Sequence, residues 1–383
     1  MRILHTSDWH IGKRLVGRER LREQEEVFDE IVRICDEQEV GLVLIAGDVF
    51  DTYTPSAEAE DLFFRTVKRL AGQHRAVLMI SGNHDDGVRL SASAPVCEEL
   101  GIYVVGNSRA PITPKQRGAV YPVSSGKGYV VFEGAQGEKI YVATLPYPNE
   151  ARFKEEKSAL PFPELMRKWF DECMSGNTEG LPSVLLSHLF IAGGVVSDSE
   201  REIDLGGARA VPRELLPKCD YVALGHLHKK QKMGEGVYYS GSPLQYSFDE
   251  RPEKSVRVFD LTTSGVNDLR EIPLTKGRKL VRLEAASVED ALTLLDGYPS
   301  AYVEMKLVLS QPLLQSQSAA LAGRENLVSL QTEIRGEGMP VFQSRKGLTD
   351  EELFDAYYRA RYEKDAKPQL KELFLSVLQD VND

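Results

Sequence analysis

Aspartate, asparagine and histidine occur in five short segments of this 383-residue chain: Asp8-Trp9-His10, Gly47-Asp48, Gly82-Asn83-His84-Asp85, Ser187-His188 and Gly225-His226-Leu227-His228. Together they offer mixed oxygen and nitrogen donors, a set that suits manganese, zinc or iron. A two-metal hydrolase needs a carboxylate bridging cations about 3.5–4 Å apart, terminal ligands for each, and a water between them as nucleophile. Asp48 is the natural bridge. Asp8 and His10, two residues apart, point one way and take one metal, which His228 completes; Asn83, His188 and His226 serve the other. His84 is left over beside a ligand, placed to hydrogen-bond a phosphoryl oxygen or protonate a leaving alkoxide, with Asp85 a candidate to orient its ring.

The elements that must deliver these residues are legible too. Each segment directly follows an apolar run with the composition of a β-strand: Arg2–Thr6, Leu42–Ala46, Ala76–Ile80, Ser183–Leu186 and Asp220–Leu224. Loops at the carboxyl ends of strands are where open α/β sheets bind ligands. Taken singly, an Asp-x-His or a Gly-Asp after a strand is more often a turn than a metal site. Histidines that merely filled a core would not gather at strand exits, whereas His5, inside the first strand, reads as a buried structural residue and His74, in a polar turn, as solvent-facing.

Strands and helices alternate to about residue 105, with helical spacing over Leu21–Glu39 and a second helix opening at Pro55. From about 119 the pattern is strand-rich. The expectation is an α/β protein, two sheets packed face to face in a four-layered β-sandwich flanked by helices. Pro273 and Thr275-Lys-Gly-Arg278 mark a boundary, giving a catalytic domain over 1–275. Residues 276–342 read as a small α+β accessory domain, or alternatively as a structural extension of the first. Residues 343–383 comprise a linker, Gln343–Gly347, and a helical tail in which Thr349 and Glu352 form a capping-box signature. Leu353, Phe354 and Tyr357, then Leu370, Leu373, Phe374 and Val377, line two apolar stripes. Two such short helices bury both stripes poorly against each other, so they need a further surface, on a partner or on the chain's own body.

Composition bounds the function. An apolar fraction of 42% supports a real core, no stretch approaches the about 20 apolar residues of a membrane span, and the start lacks an export signal. Cysteines 35, 97, 173 and 219 form no C-x-x-C pair and read as reduced residues of a cytoplasmic protein. No phosphate-cradling G-x-x-x-x-G-K-[ST] loop is present, so any ATP dependence must come from a partner. The 47 basic and 58 acidic residues leave a net charge of −11, which argues against a free-standing DNA binder. Two basic clusters nonetheless emerge from metal-bearing loops: Lys13, Arg14, Arg18, Arg20 and Arg22, and Lys229 with Lys230. They read either as contacts to a phosphate backbone or as ordinary solvated faces.

In their order, Asp-x-His, Gly-Asp, Gly-Asn-His-Asp, a later His and Gly-His-x-His resemble the calcineurin-like metallophosphoesterase superfamily. His5–Gly12, Ala46–Asp51, Asp198-Ser-Glu-Arg201 and Tyr239–Leu244 narrow the resemblance to the nuclease subunits of SbcCD-type complexes, over essentially the whole chain. The resemblance implies the same four-layered sandwich, an accessory region that caps the nuclease and helps admit DNA, and two divalent ions, Mn²⁺ by preference. It implies exonuclease and endonuclease action on double-stranded DNA ends and hairpins in repair and recombination. It also implies an SbcC-type ATPase as the tail's partner and a homodimer, with helices near 55–70 and 88–100 as candidate interfaces. Where some relatives carry a histidine after the Gly-Asp motif, this chain has Asp51, so no histidine role carries over there. Two rivals stay open. One is a phosphoesterase for small phosphodiesters or cyclic nucleotides, disfavoured by the accessory region and tail; the other is a non-catalytic scaffold, disfavoured by the full ligand set.

Overall fold

Residues 1–106, 109–149, 160–200, 210–335, 349–362, 364–371 and 373–375 are described by the structure, a computed structural model. Apolar runs and amphipathic stretches alternate at first: β1 (Arg2–Thr6), α1 (Leu21–Glu37), β2 (Leu42–Ala46), α2 (Ala57–Ala71), β3 (Ala76–Ile80), α3 (Gly87–Ala92), α4 (Ala94–Glu98) and β4 (Ile102–Val105). β1 to β4 pair in parallel in that order. A meander follows, β5 (Tyr121–Gly126), β6 (Tyr129–Glu133) and β7 (Lys139–Leu145), then α5 (Phe162–Met174), β8 (Ser183–His188) and β9 (Tyr221–Gly225). β10 (Gln231–Gly234) and β11 (Val237–Tyr239) complete a seven-stranded sheet. β12 (Lys254–Thr262) and β13 (Gly265–Leu274) return to the first sheet, where β12 lies antiparallel to β1.

Period-two alternation explains the layering. In β2, Val43 and Ile45 enter the core shared with α1 and α2, while Leu42, Leu44 and Ala46 enter the core between the two sheets. β8 does the same on the other side, Val184 and Leu186 facing the first sheet and Leu185 facing Trp169 and Phe170 of α5. Strands buried on both faces have no polar alternation, which is why they appear as unbroken apolar runs. The result is helix, sheet, sheet, helix. The carboxyl ends of β1, β2 and β3 thereby meet those of β8 and β9.

Beyond β13 come β14 (Leu280–Ala285), α6 (Val288–Asp296), β15 (Tyr302–Leu309), α7 (Gln315–Ala322) and β16 (Leu327–Ile334), a three-stranded sheet with β15 in the middle. One compact unit, Met1–Val308 with Leu313–Glu333, takes in both the sandwich and most of this sheet. Two carboxylates of α1 hold the turn between β13 and β14. Glu30 accepts from Thr275 N at 2.9 Å and Lys276 N at 3.1 Å, and Glu23 from Arg278 N at 2.9 Å. Leu15, Leu280 and Tyr302 form a small apolar cluster beside them.

The second unit, Leu309–Pro312 with Ile334–Asp383, contains α8 (Asp350–Tyr362). Its capping box is formed, Thr349 N donating to Glu352 Oε2 at 2.7 Å and Glu352 N to Thr349 Oγ1 at 3.3 Å. Phe354 stacks on Phe374 with centroids 4.2 Å apart. Leu353 is half-buried, but Tyr357 and Leu373 stay about three-fifths exposed, at 61% and 60%, so the two stripes cover each other only in part. The linker Gln343–Gly347 and Val377 lie outside the described residues.

Candidate metal centre

The chain turns sharply where β1, β2 and β9 deliver their candidate ligands. Asp8, His10 and Asp48 have φ of 53°, 43° and 49°, and His226 has 107°, a region non-glycine residues avoid at a cost of about 1–3 kcal/mol each. Main-chain bonds hold these turns together: Asp8 N to Gly47 O at 3.1 Å, His10 N to Asp48 O at 3.0 Å and Ile11 N to Val49 O at 2.9 Å. Glycine is required beside them for space. A Cβ on Gly47 would strike the His188 ring, and one on Gly82 the Asp48 carboxylate.

The donors fall into two groups that share Asp48. His10 Nε2 and His228 Nε2 face each other at 2.9 Å, with an Asp8 oxygen completing a cluster of potential ligand atoms all within 4.8 Å of one another. Asn83 Oδ1 lies 2.9 Å from both His188 Nε2 and His226 Nδ1. Asp48 Oδ2 stands between the groups, 3.5 Å from His10 Nε2 and 3.5 Å from His188 Nε2. Every one of these seven residues is buried. Two imidazole lone pairs cannot face each other at such a distance without a proton or a cation between them. This convergence of buried donors fits divalent metal.

The electrostatics push neighbouring donors in opposite directions within each group. Burial and the charge of Asp48 push Asp8 up to about 6, while neighbouring imidazoles and Ser7 pull the other way. Burial also opposes ionisation of Asp48, yet His188, His84 and His10 hold it well below the ordinary carboxylate range. Burial disfavours imidazolium throughout, taking His226 down to about 3 and His10 well below its usual value. His188 and His228 go the other way, His188 raised to about 9 because Asp48 and Asp8 outweigh its burial, and His228 raised because Glu250 and Glu200 outweigh its own. Such opposed shifts within one pocket are what a charged ligand site imposes on its donors.

His84 sits at the edge of the pocket, its ring centroid 4.7 Å from that of His10 and its main-chain N–H donating to Asp48 Oδ1 at 2.8 Å. The expected partner of its ring is corrected. His84 Nδ1 faces the main-chain carbonyl of Asp51 at 2.8 Å. The Asp85 carboxylate instead accepts from three main-chain N–H groups, Val49 at 3.1 Å, Phe50 at 2.9 Å and Gly82 at 2.8 Å, tying together the loops after β2 and β3. Asp51 extends its carboxylate toward the site, 3.4 Å from His10 Nδ1 and 2.8 Å from Lys13 Nζ.

The basic clusters divide. Arg20 is corrected outright: at 2% exposure it is interior, donating to Gln245 O at 2.5 Å and Glu23 Oε2 at 3.0 Å. Arg18 is likewise occupied, donating to the carbonyls of Glu325 at 2.6 Å and Leu327 at 2.9 Å, so it pins the accessory sheet. Lys229 pairs with Asp249 at 2.6 Å, Lys230 with Glu271 and Arg14 with Glu19. Arg22, its side chain 91% exposed, has only a 3.4 Å approach to Glu26. Lys229 and Lys230 line a cavity of about 410 Å³ that also borders His228 and Arg251.

Sequence reasoning missed the groups that hold His228. Ser199 Oγ lies 2.5 Å from His228 Nδ1, and Glu200 accepts from His228 N at 2.8 Å. Glu250, from the loop between β11 and β12, bonds Ser199 at 2.8 Å. The Asp198-Ser-Glu-Arg segment was visible as a motif; nothing local marks Glu250.

Residues 1–230 match the family model described as calcineurin-like phosphoesterase. SbcD, the nuclease of SbcCD, from Bacillus subtilis is 38% identical over 301 residues, covering 75% of this chain and 73% of that one. The SbcD nuclease of Rhodobacter capsulatus is 34% identical over 318 residues, covering 77% and 75%. That of Staphylococcus epidermidis is 30% identical over 293 residues, covering 74% and 72%.

Proposed function

We propose, from the premise that the chain belongs to the calcineurin-like phosphoesterase family and within it to the SbcD nucleases, that it hydrolyses phosphodiesters at DNA ends and hairpins with two divalent cations, Mn²⁺ by preference. The observation that carries the reading is Asp48 Oδ2, 3.5 Å from an imidazole nitrogen of each donor group. Asp8, His10 and His228 would hold one cation and Asn83, His188 and His226 the other, with Asp48 between. Cations bound there would supply Lewis acidity toward a water and the phosphoryl oxygens. His84, its Nδ1 side held by the Asp51 carbonyl, is placed to position a phosphoryl oxygen or give a proton to the leaving oxygen. Arg14, Arg22, Lys13, Lys229 and Lys230 remain proposed backbone contacts; Arg18, Arg20 and Asp85 act through structure.

The proposed division of labour is a nuclease domain over 1–275, a cap over 276–342 and a partner-docking tail over 343–383. Tyr357, Leu370 and Leu373, exposed on the tail, suit an SbcC-type ATPase. A homodimer through the helices near 55–70 and 88–100 completes the assembly. Buried, unbridged Cys35, Cys97 and Cys173 support a cytoplasmic location, and no helix among the described residues is long and apolar enough to cross a membrane.

The test is cleavage of end-labelled duplex and hairpin DNA in Mn²⁺ and Mg²⁺, with and without the ATPase, alongside metal analysis. Asp48→Ala should lose metal from both sites, whereas His84→Ala should keep metal and lose cleavage. Full metal content in Asp48→Ala would refute the bridge, and a lost cation in His84→Ala would make that residue a ligand.

A further inference from the structure

The loop between β11 and β12 buries a carboxylate that no ligand requires. Glu250 is enclosed, and its neighbours are donors: Tyr246 N at 3.2 Å, Ser247 N at 3.1 Å, Ser199 Oγ at 2.8 Å and the ammonium of Lys254. Its oxygens therefore only accept. Ser199 has one proton to give. Besides Glu250 it meets His228 Nδ1 at 2.5 Å and Ser197 Oγ at 2.9 Å, and Ser197 spends its own proton on Glu200. A bond to a carboxylate outcompetes one to a neutral hydroxyl. Were the Ser199 proton turned to His228 instead, its lone pairs would face Glu250 Oε1 at 2.8 Å with no proton between.

With the hydroxyl proton on Glu250, Ser199 presents only lone pairs to His228, so the short contact requires a proton on Nδ1. That leaves Nε2, on the far side of the ring, to face His10 Nε2 at 2.9 Å and the cluster of donors. We propose that Glu250, acting through Ser199, is the positioning residue for His228, fixing its ring and its tautomer so that Nε2 offers a lone pair to a divalent cation. The inference rests on the metal-centre reading. His188 and His84 are oriented by main-chain carbonyls, of Ala46 at 2.8 Å and Asp51 at 2.8 Å, which no side-chain substitution removes. His228 depends on a side-chain relay, which substitution can break.

Ser199→Ala in the full chain removes the relay without leaving Lys254 unpaired. Mn²⁺ titration followed by electron paramagnetic resonance should show one of two cations weakened about 10–100-fold, the cost usual for losing the partner of a ligating histidine, and the other unchanged. Ser199→Thr should bind as wild type, and Glu250→Gln should weaken the same cation. Nitrogen-15 spectra of histidine-labelled, metal-free protein should show the His228 proton on Nδ1 in wild type and a mixture in Ser199→Ala. A bare Nδ1 in wild type, or unchanged Mn²⁺ affinity in Ser199→Ala, would overturn the proposal. Failure of the wild-type chain to bind two cations would refute the metal-centre reading instead, and the tautomer, read without metal, would still decide the relay.

Discussion

Replacing Asp85 by asparagine separates a residue that braces the site from one that orients a catalytic ring. Its Oδ2 accepts from Val49 N at 3.1 Å and Gly82 N at 2.8 Å, and its Oδ1 from Phe50 N at 2.9 Å. An amide retains one oxygen. If that oxygen takes the position with two donors, both bonds fall from charge-assisted to neutral strength, a loss of about 1 kcal/mol each. The amide NH₂ then confronts Phe50 N, and a buried donor left unsatisfied costs about 1–3 kcal/mol. Asp85→Asn should therefore destabilise the cation-free protein, though by less than the about 3–5 kcal/mol these losses sum to, because burial and the charge of Asp48, which push Asp85 up to about 6, no longer act against a charge there. Because Val49 and Phe50 follow Asp48, and Gly82 precedes Asn83, Mn²⁺ affinity should fall as well. Urea unfolding with metal titration and kcat measurement decides the matter. Unchanged stability within about 0.5 kcal/mol together with a loss of kcat would refute the bracing argument and return Asp85 to the ring of His84.

His188, raised to about 9 by Asp48 and Asp8 against its burial, is protonated at neutral pH without a cation, so binding must displace that proton. His228 is raised as well, Glu250 and Glu200 outweighing its burial, so apparent Mn²⁺ affinity should rise at least about tenfold per pH unit from about 6, where Asp8 titrates, to about 9, and calorimetry in buffers of different ionisation enthalpy should show about one proton or more released at neutral pH; no buffer dependence would count against it. Arg20→Ala should cost about 3–5 kcal/mol by removing the cation paired with buried Glu23, which keeps only the neutral donors Tyr302 and Arg278 N, whereas Arg22→Ala should leave stability within about 0.5 kcal/mol and lower the salt slope of DNA binding by about 0.9; the reverse pattern would undo the assignment. Truncation after Gly347 should leave unfolding and Mn²⁺ binding unchanged while abolishing capture by the ATPase, and Phe374→Glu, which breaks the stack on Phe354, should weaken that capture. A lowered melting temperature of the nuclease in either variant would place the tail on its own chain.

The strand exits were legible because their signal is local. A parallel strand buried on both faces must be an unbroken apolar run, so a polar residue at its end stands out, as Asp8, Asp48 and Asn83 do. The three-stranded accessory sheet was half visible: β15 alternates, but β16 has no fully buried side chain and carries little pattern. Side-chain partnership was not legible at all. Arg20 and Arg22 are indistinguishable in a basic run, yet one is interior because Glu23 and the Gln245 carbonyl await it, and nothing near Arg20 in the chain announces residue 245. Glu250 was overlooked for the same reason, its meaning supplied by Ser199 and His228 far away in sequence.

Those distant partners form one connected seam. Tyr302 of the accessory sheet donates to Glu23 at 2.9 Å, Glu23 pairs with Arg20, and Arg20 bonds the Gln245 carbonyl. Gln245 also accepts from Leu280 N at 2.9 Å and donates to Glu250 O at 2.9 Å, whose side chain reaches Ser199 and so His228. A buried polar network is stable only when every member is satisfied, so each link here constrains the next. The loop between β11 and β12 is thus fixed at one end by the accessory sheet and at the other by His228, a proposed metal ligand. That accounts for two uses of cations in an acidic chain. Arg18 and Arg20 are spent on seating the accessory sheet, so under the proposed function attraction for a phosphate backbone would fall to the cations of the candidate metal centre and to the few basic side chains that remain exposed around it.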